Sequence, residues 1–279
     1  MKTILGNEIL KTSLKWRSYI SFITIAAIIP LLDLGLYLEQ GGWARSITRG
    51  LSQDFLVMGN IKNGYFITYF IMNALWIHIP FLITLGAGDQ LAGEATGGTF
   101  RILLTRPASR SRILFTKYLT ALLYTTALVV FMGVLSLGLG TLVFGTGDLL
   151  VPGAKMLIIH AEDDVLWRMG LAFAFATWGM WTVASLAFLF SSLVENGIGP
   201  IIGTMAVIIV SYIIGNVPVD LFASIKPYLF TSYLDLWSKV FEDPVPWDAV
   251  LRSVLVLGAF NIGFYVVTWY IFLRKDVLS

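Results

Sequence analysis

Few side chains in this sequence have the types and spacing for chemistry, and several of them gather in residues 88 to 117, GDQLAGEATGGTFRILLTRPASRSRILFTK. Just before it, Gly86-Ala87-Gly88-Asp89 puts a carboxylate at the end of an apolar run, in the GxGD pattern used for intramembrane aspartyl proteolysis. That chemistry needs two carboxylates in one site. The other acid at membrane depth in the first two apolar runs is Asp33. It is expected near the outer end of its helix, about 30 Å of hydrocarbon away from Asp89, and the Tyr-Asp and Pro-Ala-Leu patterns of such proteases are missing. GEATGGT looks like a phosphate loop but lacks the Lys that would reach the phosphates. His78 and His160 have no partner at metal-ligand spacing, and His78 reads as a packing residue bonded to neighbouring backbone. With no cysteine in the chain, disulfides, thiolate metal sites and a cysteine nucleophile are excluded. No catalytic residue, metal site or cofactor is expected in this chain.

The elements that carry these residues follow from hydropathy. The chain of 279 residues is 57% hydrophobic and 13% charged, with a mean hydropathy of +0.80. That exceeds what one soluble core needs and points to an all-α, polytopic integral membrane protein with a single domain over 1–279. A spanning helix needs about 20 mainly apolar residues, and six stretches qualify: roughly 18–38, 65–88, 113–145, 166–190, 197–215 and 250–273. The third is long enough to tilt or to break near Gly138 and Gly140. Residues 1–17 read as an interfacial helix, with Leu5, Ile9 and Trp16 on one face and the lysines on the other.

Charge then sets orientation. Eleven of the 19 basic residues, against five of the 17 acidic ones, fall on the side that holds both termini and residues 89–117, so that side is expected to be cytoplasmic. A net charge of +2 is too small to imply nucleic acid binding. The segment 216–249 lies on the outer side and interleaves prolines with aromatic residues, which suits short interfacial or re-entrant helices. Gly199 and Gly203 form a GxxxG that fits either a dimer contact or packing within the chain.

Within 89–112 the sequence describes an elbow. Gly97 and Gly98 break one short helix, Thr99 is placed to cap a second, and Phe100, Leu103 and Leu104 share its face. Pro107 ends that helix, and Ser109 is placed to cap the third span, near Arg110, Arg112 and Lys117. Glu94 is expected where the elbow borders water, so that its loss would cost on the order of 1 kcal/mol or less in folding.

These residues resemble the membrane-spanning permease subunits of type 2 ATP-binding cassette (ABC) transporters, the six-helix kind that pairs with a separate ATPase chain. The resemblance is carried by Asp89, Gly93-Glu94, Gly98-Thr99, Leu103-Leu104, Pro107-Ala-Ser109-Arg110 and Lys117, in that order, and by NEILK around Glu8 and FLRKDVL at the end. The extra Gly97 departs from the pattern. The resemblance implies that the elbow is a cytoplasmic coupling helix docking on the ATPase through Asp89, Glu94, Thr99, Phe100, Leu103, Leu104, Pro107, Arg110 and Lys117. It also implies ATP and Mg in the partner ATPase, a second permease subunit as homo- or heterodimer, contact with membrane lipid, a bacterial or archaeal plasma membrane, and export as the usual direction. The substrate-binding residues stay unknown. A subunit that transmits force or anchors a complex without carrying a solute is the alternative.

Overall fold

A computed structural model describes residues 2–39, 62–97, 109–152 and 157–274. The described chain is predominantly helical: α1 (Lys2–Leu14), α2 (Trp16–Leu38), α3 (Gly64–Leu75), α4 (His78–Ala87), α5 (Asp89–Thr96), α6 (Arg110–Phe144), α7 (Glu162–Leu193), α8 (Gly199–Asn216), α9 (Asp220–Ile225) and α10 (Trp247–Arg274). Among the described residues, α2, α6, α7, α8 and α10 are each long and apolar enough to cross a membrane, and α3 with α4 forms one further candidate, bent by 66°. Their outward faces carry bare Leu31, Leu142, Ile202, Leu255 and Ile262. Lipid is the solvent in which such faces are stable, so the chain is a membrane-embedded protein.

Helix α7 is the hub, packing on α4, α5, α6, α8 and α10. It supplies small buried residues, Ala172, Ala176, Gly179, Ala184 and Ala187, which let neighbouring backbones approach where lipid offers no hydrophobic drive between helices. Polar contacts add direction: Tyr118 Oη lies 2.8 Å from Ser185 Oγ, which also contacts Asn261 Oδ1 at 2.7 Å, while Asn261 Nδ2 donates to Thr182 Oγ1. One chain of hydrogen bonds thus joins α6, α7 and α10. Asp33, expected near the outer end of its helix, is buried in α2, and among the described residues neither of its carboxylate oxygens is hydrogen-bonded.

Two local features differ from the sequence expectation, and a third decides between alternatives it left open. The bend between α3 and α4 falls one turn before Pro80, which has no N–H for the Trp76 carbonyl and crowds it; His78 Nδ1 lies 3.1 Å from the Ala74 carbonyl in the same break. Helix α6 runs unbroken through Gly138 and Gly140. Gly140 serves close packing instead, since a Cβ there would come within 3.0 Å of the Gly64 carbonyl oxygen at the start of α3. Between α6 and α7 the chain forms an antiparallel pair, β1 (Leu149–Pro152) and β2 (Leu157–His160), with Leu149 opposite His160. Among the described residues this short ribbon is the departure from a helical chain, and its Leu149, Leu150 and Val151 are buried.

The segment after α8 folds as α9, a 3₁₀ turn (Lys226–Tyr228) and a twelve-residue 3₁₀ helix (Phe230–Phe241). Runs of 3₁₀ helix this long are uncommon, and its side chains stack at every third residue. The sequence uses that period: Phe230, Tyr233 and Leu236 form one buried ridge, and Leu234, Trp237 and Val240 the next. The helix packs on α7 and α10, and Trp237 also meets the rings of Tyr69 and Trp76. Arg168 of α7 closes the far end by donating to the Val240 carbonyl at 2.6 Å, a cation meeting helix carbonyls left without partners.

Candidate functional site: a buried ion cluster at the elbow

One end of the bundle collects the charges. Helix α1 lies across α6 there, and it does so with its polar side inward. Glu8 and Thr12 are buried, whereas Ile9, Leu10, Leu14 and Trp16 are exposed. Lys11 and Lys15, expected on the water-facing side, are used in pairing, and the exposed apolar residues suit the membrane interface.

At the centre, Lys117 Nζ donates to Glu8 Oε2 at 2.8 Å and to Glu94 Oε1 at 2.9 Å. Lys11 Nζ reaches the same Glu94 oxygen at 2.5 Å. The side chains of Lys117 and Glu94 are both 1% exposed, while Lys11 is 42% exposed, so the cluster runs from the surface inward. Glu94 is thus not at the water border that the sequence implied. Its carboxylate is deep in the junction of α1, α5 and α6, and the small folding cost expected for its loss does not apply. Burying such charges is tolerable because each ion is matched at hydrogen-bonding distance.

A second cluster flanks the first. Asp89 accepts from Lys15 Nζ at 2.7 Å and from Arg17 Nη1 at 2.9 Å. Both oxygens are engaged by cations, and the carboxylate stands in the first turn of α5, where the helix dipole favours it. The surrounding glycines make the room. A Cβ on Gly93 would lie 2.6 Å from Asp89 Oδ1, and one on Gly197 would lie 2.1 Å from Arg17 Nη1. Gly86 of the GxGD pattern has the ring of Tyr124 against it, at 2.2 Å from where a Cβ would be. These glycines are explained by packing against neighbours.

Helix α5 is also fastened to α7 by backbone bonds. Ser191 Oγ accepts from the amides of Leu91 and Ala92, at 3.1 and 2.8 Å, and donates to the Gly88 carbonyl at 2.6 Å. At the other end Thr96 Oγ1 donates to the Glu195 carbonyl at 2.9 Å, and Gln90 Nε2 donates to Thr12 Oγ1 of α1 at 3.2 Å. Eight residues of helix are thereby held to α1, α6 and α7 at once.

Of the residues singled out in the sequence, the structure brings Asp89, Glu94 and Lys117 into this junction. Arg110 opens α6 with an exposed side chain behind the cap made by Ser109, whose Oγ accepts from the Arg112 amide. Thr99, Phe100, Leu103, Leu104 and Pro107 lie outside the described residues. Sequence reasoning missed the pairing roles of Lys15 and Arg17 and the cap from Ser191, although four basic residues before the first span were a visible signal. Gly203 packs on the Phe190 ring of α7, a contact within the chain. His160 Nε2 is 3.0 Å from the Phe241 carbonyl, so both histidines contact backbone.

The chain is similar to "Uncharacterized protein YhcI" of Bacillus subtilis (strain 168), 24% identical over 256 residues that cover 86% of this chain and 78% of that protein. The family described as "Protein of unknown function (DUF2705)" matches residues 45–278, a range that begins after α2 and takes in α3 to α10. A match of that extent places this membrane-embedded chain in the family described as "Protein of unknown function (DUF2705)".

Proposed function

We propose that the chain is the membrane permease subunit of a type 2 ABC transporter. In this reading α2, the bent pair α3–α4, α6, α7, α8 and α10 are six spans, both termini are cytoplasmic, and the membrane is the plasma membrane of a bacterium or archaeon. Two permease subunits form the substrate path, in the sense of export, and two cytoplasmic ATPase subunits bring ATP and Mg. The chain itself is not the enzyme.

The observation that supports this best is the anchoring of α5. That helix opens the elbow, 89–112, that the sequence resemblance assigns to the ATPase. A push on that elbow arrives at a helix that has little freedom to move alone. The Glu94–Lys117–Glu8 contacts hand displacement to α6 and α1, and Ser191 hands it to α7. Ion pairs and amide bonds at hydrogen-bonding distance resist shear better than apolar contact, which is non-directional. That is what a mechanical junction between a motor and a span requires.

The test is purification of the tagged chain in mild detergent, followed by reconstitution. An ATPase chain should copurify, and the pair should hydrolyse ATP where the isolated chain does not. Robust ATP hydrolysis by the isolated chain, or the absence of any ATPase partner, would overturn the reading. Single cysteines placed at Asp163 and Ser279 of this cysteine-free chain should label from opposite sides of the membrane, and labelling from one side would exclude six spans.

A further inference from the structure

At the end of the bundle away from the ion cluster, a cleft of about 420 Å³ opens between α3, α8 and the 3₁₀ helix. A narrower cavity of about 240 Å³ adjoins it and shares Asn73, Trp76, Tyr212 and Thr231 as walls. The two have different characters. The first is lined by polar groups, including Asn216, Lys226 and Asp235. The second runs along Ile77, Pro80, Ile208, Ile209 and Leu234, beside the bend of α3–α4 and along a candidate spanning helix.

Three observations indicate that the polar part is built to hold something. Thr231 and Trp237 line it, and Thr231 Oγ1 and Trp237 Nε1 are buried polar atoms without a hydrogen-bond partner among the described residues. Such atoms are uncommon in folded chains, because leaving one unmade costs more than making it gains. Lys226 and Asp235 stand in the same cleft with opposite charge, yet among the described residues neither forms an ion pair within 4.0 Å. Asp235 opens on the cleft with an exposed side chain. Burial pushes its carboxyl above the usual carboxylate range, with Lys239 and Lys226 pulling the other way. Finally, Trp76, whose ring packs on Trp237 at 5.7 Å and 46°, is a half-buried wall of both cavities, an indole of the sort that attracts an ammonium group.

We propose that this cleft binds a zwitterionic amphipath, with a phospholipid of ethanolamine headgroup as its ligand. The phosphate is taken by Lys226, the ammonium by Asp235 and the Trp76 indole, and an acyl chain follows the apolar cavity along Ile208 and Leu234. A lipid fits better than a water-soluble zwitterion because the polar and apolar parts are continuous. Its supply is the bilayer in which α8 lies. Binding requires no ATPase partner, so it is read on the purified chain and stands or falls separately from the transport reading.

The experiment is native mass spectrometry of the full chain in detergent, titrated with phosphatidylethanolamine, with phosphatidylglycerol of the same acyl chains, and with soluble glycerophosphoethanolamine as competitor. Phosphatidylethanolamine should be retained in preference to phosphatidylglycerol. Lys226→Ala and Asp235→Asn should each weaken it by roughly tenfold, the loss of one charge-assisted contact. Both side chains are exposed, so the unfolding temperature should stay within a few degrees and the variants should remain readable. Equal retention of the two lipids would overturn the proposal, as would a preference unchanged in both variants. So would competition by glycerophosphoethanolamine at the affinity of the intact lipid, since the apolar cavity would then contribute nothing.

Discussion

Lys117 and Glu94, 2.9 Å apart, are each 1% exposed, and the pair joins the start of the longest described helix to the short helix that opens the elbow. Lys117 also holds Glu8, so removing the ammonium strands two buried carboxylates with the partly exposed Lys11 beside one of them. Lys117→Met should therefore destabilise the chain by about 3–5 kcal/mol, the usual cost of breaking a buried pair from one side. Glu94→Gln leaves Lys117 its contact with Glu8 and should cost less. The double variant should be more stable than the sum of the single losses predicts, with a coupling of roughly 0.5–3 kcal/mol. Unfolding titrations of the three variants in one detergent give the cycle, and strict additivity would show that the two charges do not sense each other.

Gly93 lies where a methyl group would strike the Asp89 carboxylate, 2.6 Å from its Oδ1. Gly93→Ala should displace that carboxylate from Lys15 and Arg17 and cost about 1–3 kcal/mol, as overpacking does. Gly170, in α7 with open space around its Cβ direction, is the control. Gly170→Ala should be neutral or stabilising by roughly 0.5–1 kcal/mol, since Ala is the better helix former. Thermal unfolding separates the two, and equal effects would contradict the packing account.

Ser191 supplies the acceptor for two buried amides of α5. Ser191→Ala leaves the Leu91 and Ala92 amides unmet, a penalty of about 1–3 kcal/mol. Hydrogen exchange over 88–97 should accelerate more than exchange over the middle of α6. A uniform change across the chain would mean that Ser191 supports global stability only and does not clamp α5.

The 3₁₀ helix should exchange slowly throughout Phe230–Phe241 despite its aromatic, loop-like composition, because both of its ridges are buried. Arg168→Gln, which withdraws the guanidinium from the Val240 carbonyl, should raise exchange first at residues 238–242. Rapid exchange of the whole segment in the unaltered protein would contradict the packing described.

What the sequence determined by itself was the membrane character, the positions of the long apolar helices to within a few residues, the cap at Ser109 and the place where charge concentrates. These are local properties: a run of apolar side chains or a serine three residues before an amide is legible wherever the rest of the chain goes. The tertiary structure decided the rest. Glu94 meets Lys11 across 83 positions, and Lys117 meets Glu8 across 109. Nothing in the spacing of those residues distinguishes a buried partner from a solvated charge, so Glu94 read as a residue at the water border and the α1 lysines as a water-facing edge. The bend before Pro80 and the close contact of Gly64 with Gly140 likewise depend on what packs alongside, since a proline or glycine inside an apolar run is compatible with a straight helix, a kink or a close approach. The three-residue period of Phe230–Phe241 was present in the sequence, but it becomes a 3₁₀ helix because it packs on α7 and α10 and Arg168 meets its final carbonyls.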